Sequence, residues 1–584
     1  MFFFVNSYLN INDSMPPDSP RINSKSIKQN TYDAIVVGSG ISGGWAAKEL
    51  CEKGLKTLVL ERGRNVEHIK DYPTATLAPW QFDHRGSITE DMRKEQHIQV
   101  RGFCNETNKH FFVNDLEHPY TQQKPFDWIR GYHVGGRSLM WGRQCYRWSD
   151  LDFEANARDG HGVDWPIRYK DLAPWYSYVE KFVGISGSKE GLPQLPDSEF
   201  LPPMEMNCLE KHMADQIQHQ FADDRRMIIG RVANLSKGLN GRGPCQYRNM
   251  CDRGCPFTGY FSSNGVTLPA ANATGNLTLR PFSIVVNVIY DKDKKRARGI
   301  RILDANTMQT EEYYANIIFL NASTIGTTAI LMNSVSDAHP EGLGNGSGEL
   351  GRNLMDHHYH VGASGTYEGF QDSYFYGRRA NGIYIPRFRN INEKTKQKDY
   401  VRGFGYQGGA YRGRVSELEG IGESLKAKLT EAGDWSMWIG GWGEHLPHQD
   451  NRVTLSKDKK DKWGLPLMDF DCIWRGNELA MRADMMNSAA EMLEKSGLKN
   501  IKTFNDPDAN PGLCIHEMGT ARMGRDPKTS VLNGHNQLWE APNVFVTDGS
   551  CMSSSANQNP SLTYMALTAR AVDYGVSELK KGNI

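Results

Sequence analysis

Two side chains near the C-terminal end have the types that alcohol chemistry needs. They are His516, in His516-Glu-Met-Gly-Thr-Ala-Arg, and Asn559, in Asn559-Pro-Ser-Leu-Thr. An imidazole with an ordinary pKa near neutrality can take a hydroxyl proton. Between them, Val544-Phe-Val-Thr-Asp548-Gly549 reads as a short apolar strand ending in an acid and a glycine. A second cluster, Cys245-x5-Cys251-x3-Cys255, gathers three thiols within eleven residues, and thiolates favour soft metals such as zinc and iron in clusters. Seven further cysteines are scattered, and seventeen histidines mean that composition alone does not single out His516.

The elements that must position this chemistry begin at the other end of the chain. Tyr32-Asp-Ala-Ile-Val-Val-Gly38-Ser-Gly40-Ile41-Ser42-Gly43 predicts a buried parallel strand, a glycine turn and a helix from about Ile41 to Glu52. Gly38 permits the tight turn, Gly40 lets backbone approach a pyrophosphate, and Gly43 lets helix pack close to strand. The helix N-terminus then offers free amides to the phosphates. Leu58-Val-Leu-Glu61 supplies a second strand ending in an acid suited to ribose hydroxyls, with Arg62 next to it. This is a dinucleotide site, although the unit does not separate NAD from FAD. A second glycine-rich segment, Arg130-Gly-Tyr-His133-Val-Gly135-Gly136-Arg-Ser138-Leu-Met140-Trp141-Gly142, allows close contact with a flat ligand; the plainer reading is a tight surface turn. Asp164-Trp-Pro-Ile-Arg-Tyr-Lys-Asp171 predicts a turn into a helix capped by Asp171.

Bulk properties narrow the field. A chain of 584 residues exceeds one ordinary domain. Zero formal net charge argues against a general nucleic-acid surface, and no apolar run reaches the ~18 residues of a membrane span. Met1-Phe-Phe-Phe-Val is too short an apolar stretch for a secretory signal, so residues 1–30 are expected to be a disordered lead-in, with Met15 an alternative start. The corresponding localisation is cytoplasmic, or periplasmic through a partner subunit.

The N-terminal unit, Gly135-Gly136, Asp164-Trp-Pro-Ile, and the His516 and Asn559 motifs together resemble the glucose-methanol-choline (GMC) flavoprotein oxidoreductases over roughly residues 31–580. The nearer resemblance is to the bacterial sugar and polyol dehydrogenase branch, with glucose, gluconate, fructose and glucoside 3-dehydrogenase catalytic subunits; pyranose oxidases are near relatives. The resemblance implies an α/β fold: a Rossmann-like FAD-binding domain and a second, α+β substrate-binding domain on an antiparallel sheet. The expected division is 31–355 for the first part of the FAD domain, including an insertion at 245–255, 356–510 for the substrate domain, and 511–584 for the completion of the FAD domain. Implied FAD contacts are Gly38, Gly40, Ile41, Ser42, Gly43, Glu61, Arg62, Gly135, Gly136, Ser138, Trp141, Gly142, Val285, Asp548, Gly549, Asn559 and Thr563. His516 becomes the general base for hydride transfer to flavin N5, with Asn559 holding the substrate oxygen. Where pyranose oxidases carry a flavin-linked histidine, this chain has Met140, so FAD is expected to be non-covalent; His133 is expected to pack or hydrogen-bond instead.

The cysteine spacing resembles the [3Fe-4S] segment of bacterial FAD glucose dehydrogenases, and Pro256 after the last cysteine fits clustered iron–sulfur ligation. Such a centre would pass electrons singly from reduced FAD to a cytochrome c, with a small chaperone or export subunit as a further partner. A structural cysteine loop, with or without a disulfide, and a zinc site are the alternatives; zinc lacks a fourth ligand within the triplet. Arg242, Arg248 and Arg253 surround the cysteines, tuning them or merely solvated.

For the substrate, Tyr374, Phe375 and Tyr376 near Arg378 and Arg379, then Tyr406, Gln407 and Tyr411, then Trp435, Trp438 and Trp442 before Glu444, suit a sugar ring packed on aromatic faces. Glu444, Gln407 and Trp442 are the candidate sugar contacts, with sheet core as the plain reading of any one tryptophan. A pyranose or glycoside secondary alcohol is the expected substrate, with C3 of a glucoside the most specific form. The rivals are an oxidase that returns electrons to dioxygen without a cluster, and a non-catalytic nucleotide-binding subunit. Lys457–Lys462 is expected to be a solvent-facing turn, and Asp356-His357-His358-Tyr359-His360 the start of the substrate domain rather than a metal site.

Overall fold

The computed structural model describes residues 30–223, 225–374, 380–414 and 420–584. The lead-in and the Phe375, Tyr376, Arg378 and Arg379 cluster therefore fall outside the described residues, apart from Asn30. The cofactor-side sheet contains β1 (Thr31–Val37), β2 (Thr57–Leu60), β3 (Leu277–Arg280), β4 (Ser283–Asp291), β5 (Arg296–Asp304), β6 (Thr310–Leu320) and β7 (Val544–Val546). Its order is β3-β2-β1-β6-β5-β4, with β7 beside β6. β1, β2, β3, β6 and β7 pair in parallel, and β4, β5 and β6 form an antiparallel meander.

The apolar run of β1 is explained by burial on both faces. Ala34 and Val36 pack with Ala46, Ala47 and Leu50 of helix α1 (Ile41–Glu52), whereas Ile35 and Val37 face a core holding Trp148, Trp165 and Tyr176. A parallel sheet covered on two sides needs this continuous pattern. β7 arrives from the far end of the sequence, and helix α3 (Ser561–Lys581) packs back on α1, with α2 (Thr324–Asn333) following β6. The C-terminal motif is thus brought to the glycine turn.

The second sheet has six antiparallel strands, in the order Lys499–Asn505, Val361–Tyr367, Ala432–Gly443, Phe404–Arg414, Ile383–Ile385, Ile228–Ile229. Period-two alternation sorts its faces. Phe404, Tyr406, Trp435, Met437 and Ile439 pack on Met481, Met485 and Met492 of helix Gly476–Lys495 and on Leu209, Met213 and Ile217 of helix Cys208–Gln220. Gln407, Trp438 and Trp442 lie on the other face and line a cavity. Residues of the segment 208–229 join the substrate-side core, and strand Pro466–Asp471 pairs with Thr121–Gln122. Asp171 is not the helix cap. It stands at the third position of helix Tyr169–Val183 and accepts from the Arg168 backbone N–H at 2.8 Å.

Among the described residues, no helix is long and apolar enough to cross a membrane.

Candidate active site

One cavity of about 520 Å³ runs from the glycine turn to the C-terminal motifs. At one end, Glu61 closes β2 and is buried. Its Oε2 accepts from Ser39 N–H at 3.2 Å and Ser39 Oγ at 2.6 Å, and its Oε1 accepts from Gly63 N–H at 3.0 Å. Burial raises its pKa, opposed by those hydrogen bonds. Gly38 has φ +90°, and a Cβ there would lie 2.3 Å from the Asn321 carbonyl oxygen. Gly43 packs against the Gly38 carbonyl, where a Cβ would come within 1.9 Å. A Cβ on Gly40 would meet nothing within 4 Å, since it points into the cavity.

These features fit a dinucleotide. No side chain caps α1 and no acid occupies its first turn, which leaves its N-terminal amides to an anionic ligand. Arg62 Nε, His118 Nδ1 and Tyr564 Oη are buried without protein partners, and all three residues line the cavity. The Arg62 guanidinium lies over the Tyr132 and Trp463 rings and pairs with Asp461 at 3.4 Å. Asp461 thus turns inward, while Lys457 to Lys460 remain mostly exposed.

Ile41, Ser42, Gly136, Ser138, Trp141, Gly142, Val285, Asp548, Gly549 and Asn559 line the same space. Gly135 lies behind it, with φ +87° and the Asn264 side chain where a Cβ would stand. Thr563 bonds the Tyr176 hydroxyl at 2.8 Å, on the α3 face turned away from the cavity. Met140 lines the cavity, and buried His133 donates through Nδ1 to the Val134 carbonyl at 3.0 Å, on its neighbour's backbone. Non-covalent FAD predicts that acid precipitation of the holoprotein frees all yellow chromophore into the supernatant. Colour retained in the washed pellet contradicts that.

At the other end, His516 and Asn559 meet. Asn559 Nδ2 lies 3.4 Å from His516 Nε2, and Gln407 Nε2 donates to Asn559 Oδ1 at 2.7 Å. The second contact turns the amide so that its nitrogen faces the imidazole. Trp438, Trp442 and Tyr359 form an aromatic wall nearby. Burial, His357 and the Arg137 guanidinium hold His516 well below the usual histidine pKa, so it is neutral at pH 7 and ready to accept a proton.

The loop carrying His516 is clamped by Asp356. Its Oδ2 accepts from Gly512 and Cys514 N–H at 2.8 and 3.0 Å, and its Oδ1 from His516 N–H at 2.9 Å. Burial and Glu517 push this carboxyl up to about 8 against those three donors. Glu517, next to His516, is held by Arg137 through two bonds of 3.0 and 2.8 Å.

Glu444 departs from expectation as a sugar contact. It is fully buried, and its Oε1 accepts from Arg402 Nη1 at 2.6 Å, away from the cavity lining, where it shares the buried guanidinium with Asp159. Sequence reasoning also passed over His357, whose Nδ1 lies 2.9 Å from His516 Nδ1. The Asp356-His357-His358 tract marked it only as a domain start. His357, Cys514 and His516 bring three donor atoms within 4.8 Å of one another. Burial and Asp356 keep the Cys514 thiol protonated, and the two Nδ1 atoms are at hydrogen-bond distance, so the group reads as a hydrogen-bond cluster.

Cys245, Cys251 and Cys255 converge on a separate cavity of about 30 Å³. All ten cysteines are free, which removes the disulfide form of the loop. The lining contains no histidine or carboxylate, so a structural zinc lacks its fourth ligand. Arg242 and Arg253 donate to the Val183 and Leu77 carbonyls at 2.6 and 3.0 Å, and Arg248 to that of Ala75, which ties the loop to its neighbours.

Residues 32–359 match the N-terminal family model of the GMC oxidoreductases, and residues 447–568 match the C-terminal one. The chain is similar to 2-methyl-1,2-propanediol dehydrogenase of Mycolicibacterium austroafricanum, at 30% identity over 93% of this chain and 94% of that protein. It is also similar to paromamine 6'-oxidase of Streptomyces fradiae, at 26% identity over 92% and 90%. Among solved structures, pyridoxine 4-oxidase from Mesorbium loti shares the fold with a TM-score of 0.58, at 16% identity over 93% of this chain and 99% of that one.

Proposed function

The chain belongs to the GMC oxidoreductase family and is an FAD-dependent enzyme acting on CH–OH groups; from that premise we propose that it oxidises a secondary hydroxyl of a pyranose or glycoside, with C3 of a glycoside the most specific form. The observation that carries the reading is the continuity of one cavity from Glu61 and the glycine turn to His516, Asn559 and an aromatic wall. Trp438 and Trp442 suit the C–H face of a sugar ring, while Gln407 and Asn559 suit its hydroxyls.

Bound FAD supplies the hydride acceptor. Gly38, Gly40, the α1 N-terminus and Glu61 would hold its adenosine diphosphate portion, and residues from Gly136 to Gly142 with Asp548 and Gly549 the remainder. His516 Nε2 takes the hydroxyl proton, becoming imidazolium as the carbinol carbon loses hydride and the C–O bond becomes a carbonyl. Asn559, oriented by Gln407, positions the substrate oxygen beside that nitrogen.

Dioxygen as final acceptor asks for no centre beyond the flavin, and the similarity to an aminoglycoside oxidase supports it. A second reading, dehydrogenation with electrons leaving through a [3Fe-4S] cluster on Cys245, Cys251 and Cys255 to a cytochrome c, is favoured by three free thiols around one cavity and by similarity to a diol dehydrogenase. Anaerobic titration of the purified holoenzyme with a panel of pyranoses and glycosides is expected to bleach the flavin; failure of all of them, with a simple diol succeeding, sinks the sugar assignment. Admitting air then separates the acceptors. Rapid recolouring with one peroxide per turnover marks the oxidase. Slow recolouring, bound iron and a cluster signal by electron paramagnetic resonance mark the dehydrogenase.

A further inference from the structure

His357 sits 159 residues before His516 in the chain, yet its ring meets the base edge-on, with interplanar angle 84° and Nδ1–Nδ1 distance 2.9 Å. Two hydrogen-bond facts determine which nitrogen carries which proton. His357 Nε2 faces the backbone carbonyls of Ser555 at 3.2 Å and Ala556 at 2.9 Å. Carbonyl oxygens only accept, so His357 Nε2 bears a hydrogen. Burial lowers the His357 pKa to about 4, so the ring is neutral at pH 7 and its Nδ1 is a bare lone pair. The short contact to His516 Nδ1 then requires that nitrogen to be the donor. A neutral His516 with its hydrogen on Nδ1 has a bare Nε2, the nitrogen that faces Asn559 and the cavity.

We propose that His357 is a positioning residue that holds His516 in the Nδ1–H tautomer and so keeps Nε2 open to the substrate proton. This rests on the reading of His516 as the base. The arrangement is anchored on both sides: Ser555 and Ala556 fix His357 from the segment before Asn559, and Asp356, its chain neighbour, fixes the His516 backbone. Other titratable or charged groups around the pair are Cys514, with Sγ 3.4 Å from His516 Nδ1, the Arg137–Glu517 ion pair, and the neutral imidazoles of His445 and His358 on the side of His357. None of them replaces the acceptor that His357 presents: burial keeps Cys514 a neutral thiol, a weak acceptor, and Glu517 gives its oxygens to Arg137. When Nε2 takes the substrate proton, the Nδ1–H···Nδ1 bond is retained and strengthened by the new charge.

The test uses the full-length holoenzyme and two substitutions. His357→Gln keeps the pattern, with a side-chain oxygen to accept from His516 and an amide N–H to donate to the two carbonyls. His357→Leu fills the space and removes the acceptor. The readouts are the single-turnover rate of flavin reduction by the pyranose or glycoside that bleaches the flavin in the anaerobic titration, its pH profile, the steady-state KM for that sugar, and bound FAD per chain. Wrong-tautomer substitutions in histidine-based sites cost up to about 10⁴-fold. Here H357L is expected to lose at least about tenfold in the reduction rate with FAD content and KM little changed, and to shift the acid limb of the profile. H357Q is expected to recover most of the rate. A leucine variant that reduces its flavin at the wild-type rate and pH profile, or a glutamine variant as slow as the leucine one, overturns the proposal. Should H357L fail to fold, ¹⁵N spectra of histidine-labelled wild-type protein decide, with the His516 signals assigned by their loss in His516→Asn. A hydrogen on Nδ1 upholds the proposal and one on Nε2 overturns it. Unimpaired turnover in His516→Asn is a different outcome, which removes the base itself.

Discussion

Replacing His516 by asparagine is expected to abolish most turnover while leaving the flavin in place. The imidazole sits at the end of the cavity remote from Glu61, and it touches none of the glycine-turn residues that would hold the cofactor's phosphates. Its loss removes the group that takes the hydroxyl proton, a contribution of about 10²- to 10⁴-fold in general-base catalysis. The backbone amide of residue 516 still reaches Asp356, so the loop keeps its clamp. Rapid-mixing measurement of flavin reduction gives the number directly, and the visible spectrum reports whether FAD remains. The wild-type rate should fall on the acid side as His516 protonates, because hydride departure needs the imidazole neutral beforehand. A variant with FAD bound and reduction within twofold of wild type rules out His516 as the proton acceptor.

The second large effect is expected at the glycine turn, where two alanine substitutions separate folding from binding. Gly38→Ala places a methyl group 2.3 Å from the Asn321 carbonyl oxygen, at a φ of +90° that costs an L-residue about 1–2 kcal/mol by itself. Asn321 cannot yield freely, since its Oδ1 accepts from Thr547 N–H at 3.2 Å and Thr547 Oγ at 2.8 Å. Displacing it disturbs β6, β7 and the Asp548–Gly549 turn together. FAD content should fall below about one-tenth of wild type, and the melting temperature should drop even without cofactor. Gly40→Ala is different. Its φ of −68° suits any residue and its methyl meets no protein atom, only the space beside the α1 amides. The apoprotein should melt like wild type while FAD affinity weakens at least about tenfold. Calorimetry of both apoproteins with flavin titration checks this. Normal FAD binding in Gly40→Ala removes the dinucleotide from that end of the cavity.

The cofactor end was legible because its signals are local. The strand, glycine turn, helix and acid of residues 32–61 occupy one βαβ unit, and each glycine's role follows from backbone geometry that neighbouring residues impose. Helix α1 runs from Ile41 to Glu52 as its spacing predicts. Trp435, Trp438 and Trp442 all lie on strand Ala432–Gly443, but their spacings of three and four residues do not alternate, so the sequence left open which of them share a face. Only pairing with Phe404–Arg414 and packing on Met481 and Met485 put Trp435 in the core and the other two tryptophans in the cavity.

The base end was legible only in part. His516 and Asn559 stood out through motifs, but their partners come from distant segments. Gln407 is 152 residues from Asn559, and His357 is 159 from His516. Glu444 illustrates the same limit in reverse: among tryptophans it looked like a sugar ligand, yet Arg402 claims it inside the protein. The three cysteines announced themselves by spacing, while their convergence on one small cavity is a tertiary result. The sequence by itself determined the dinucleotide turn, the family and the motifs that carry His516 and Asn559, because local backbone geometry and ordered motifs are written along the chain. The tertiary structure alone decided which distant side chains surround His516, which acids are neutralised in the interior and which tryptophans face the cavity, because hydrogen bonds and burial are set by which distant segments the folded sheets bring together.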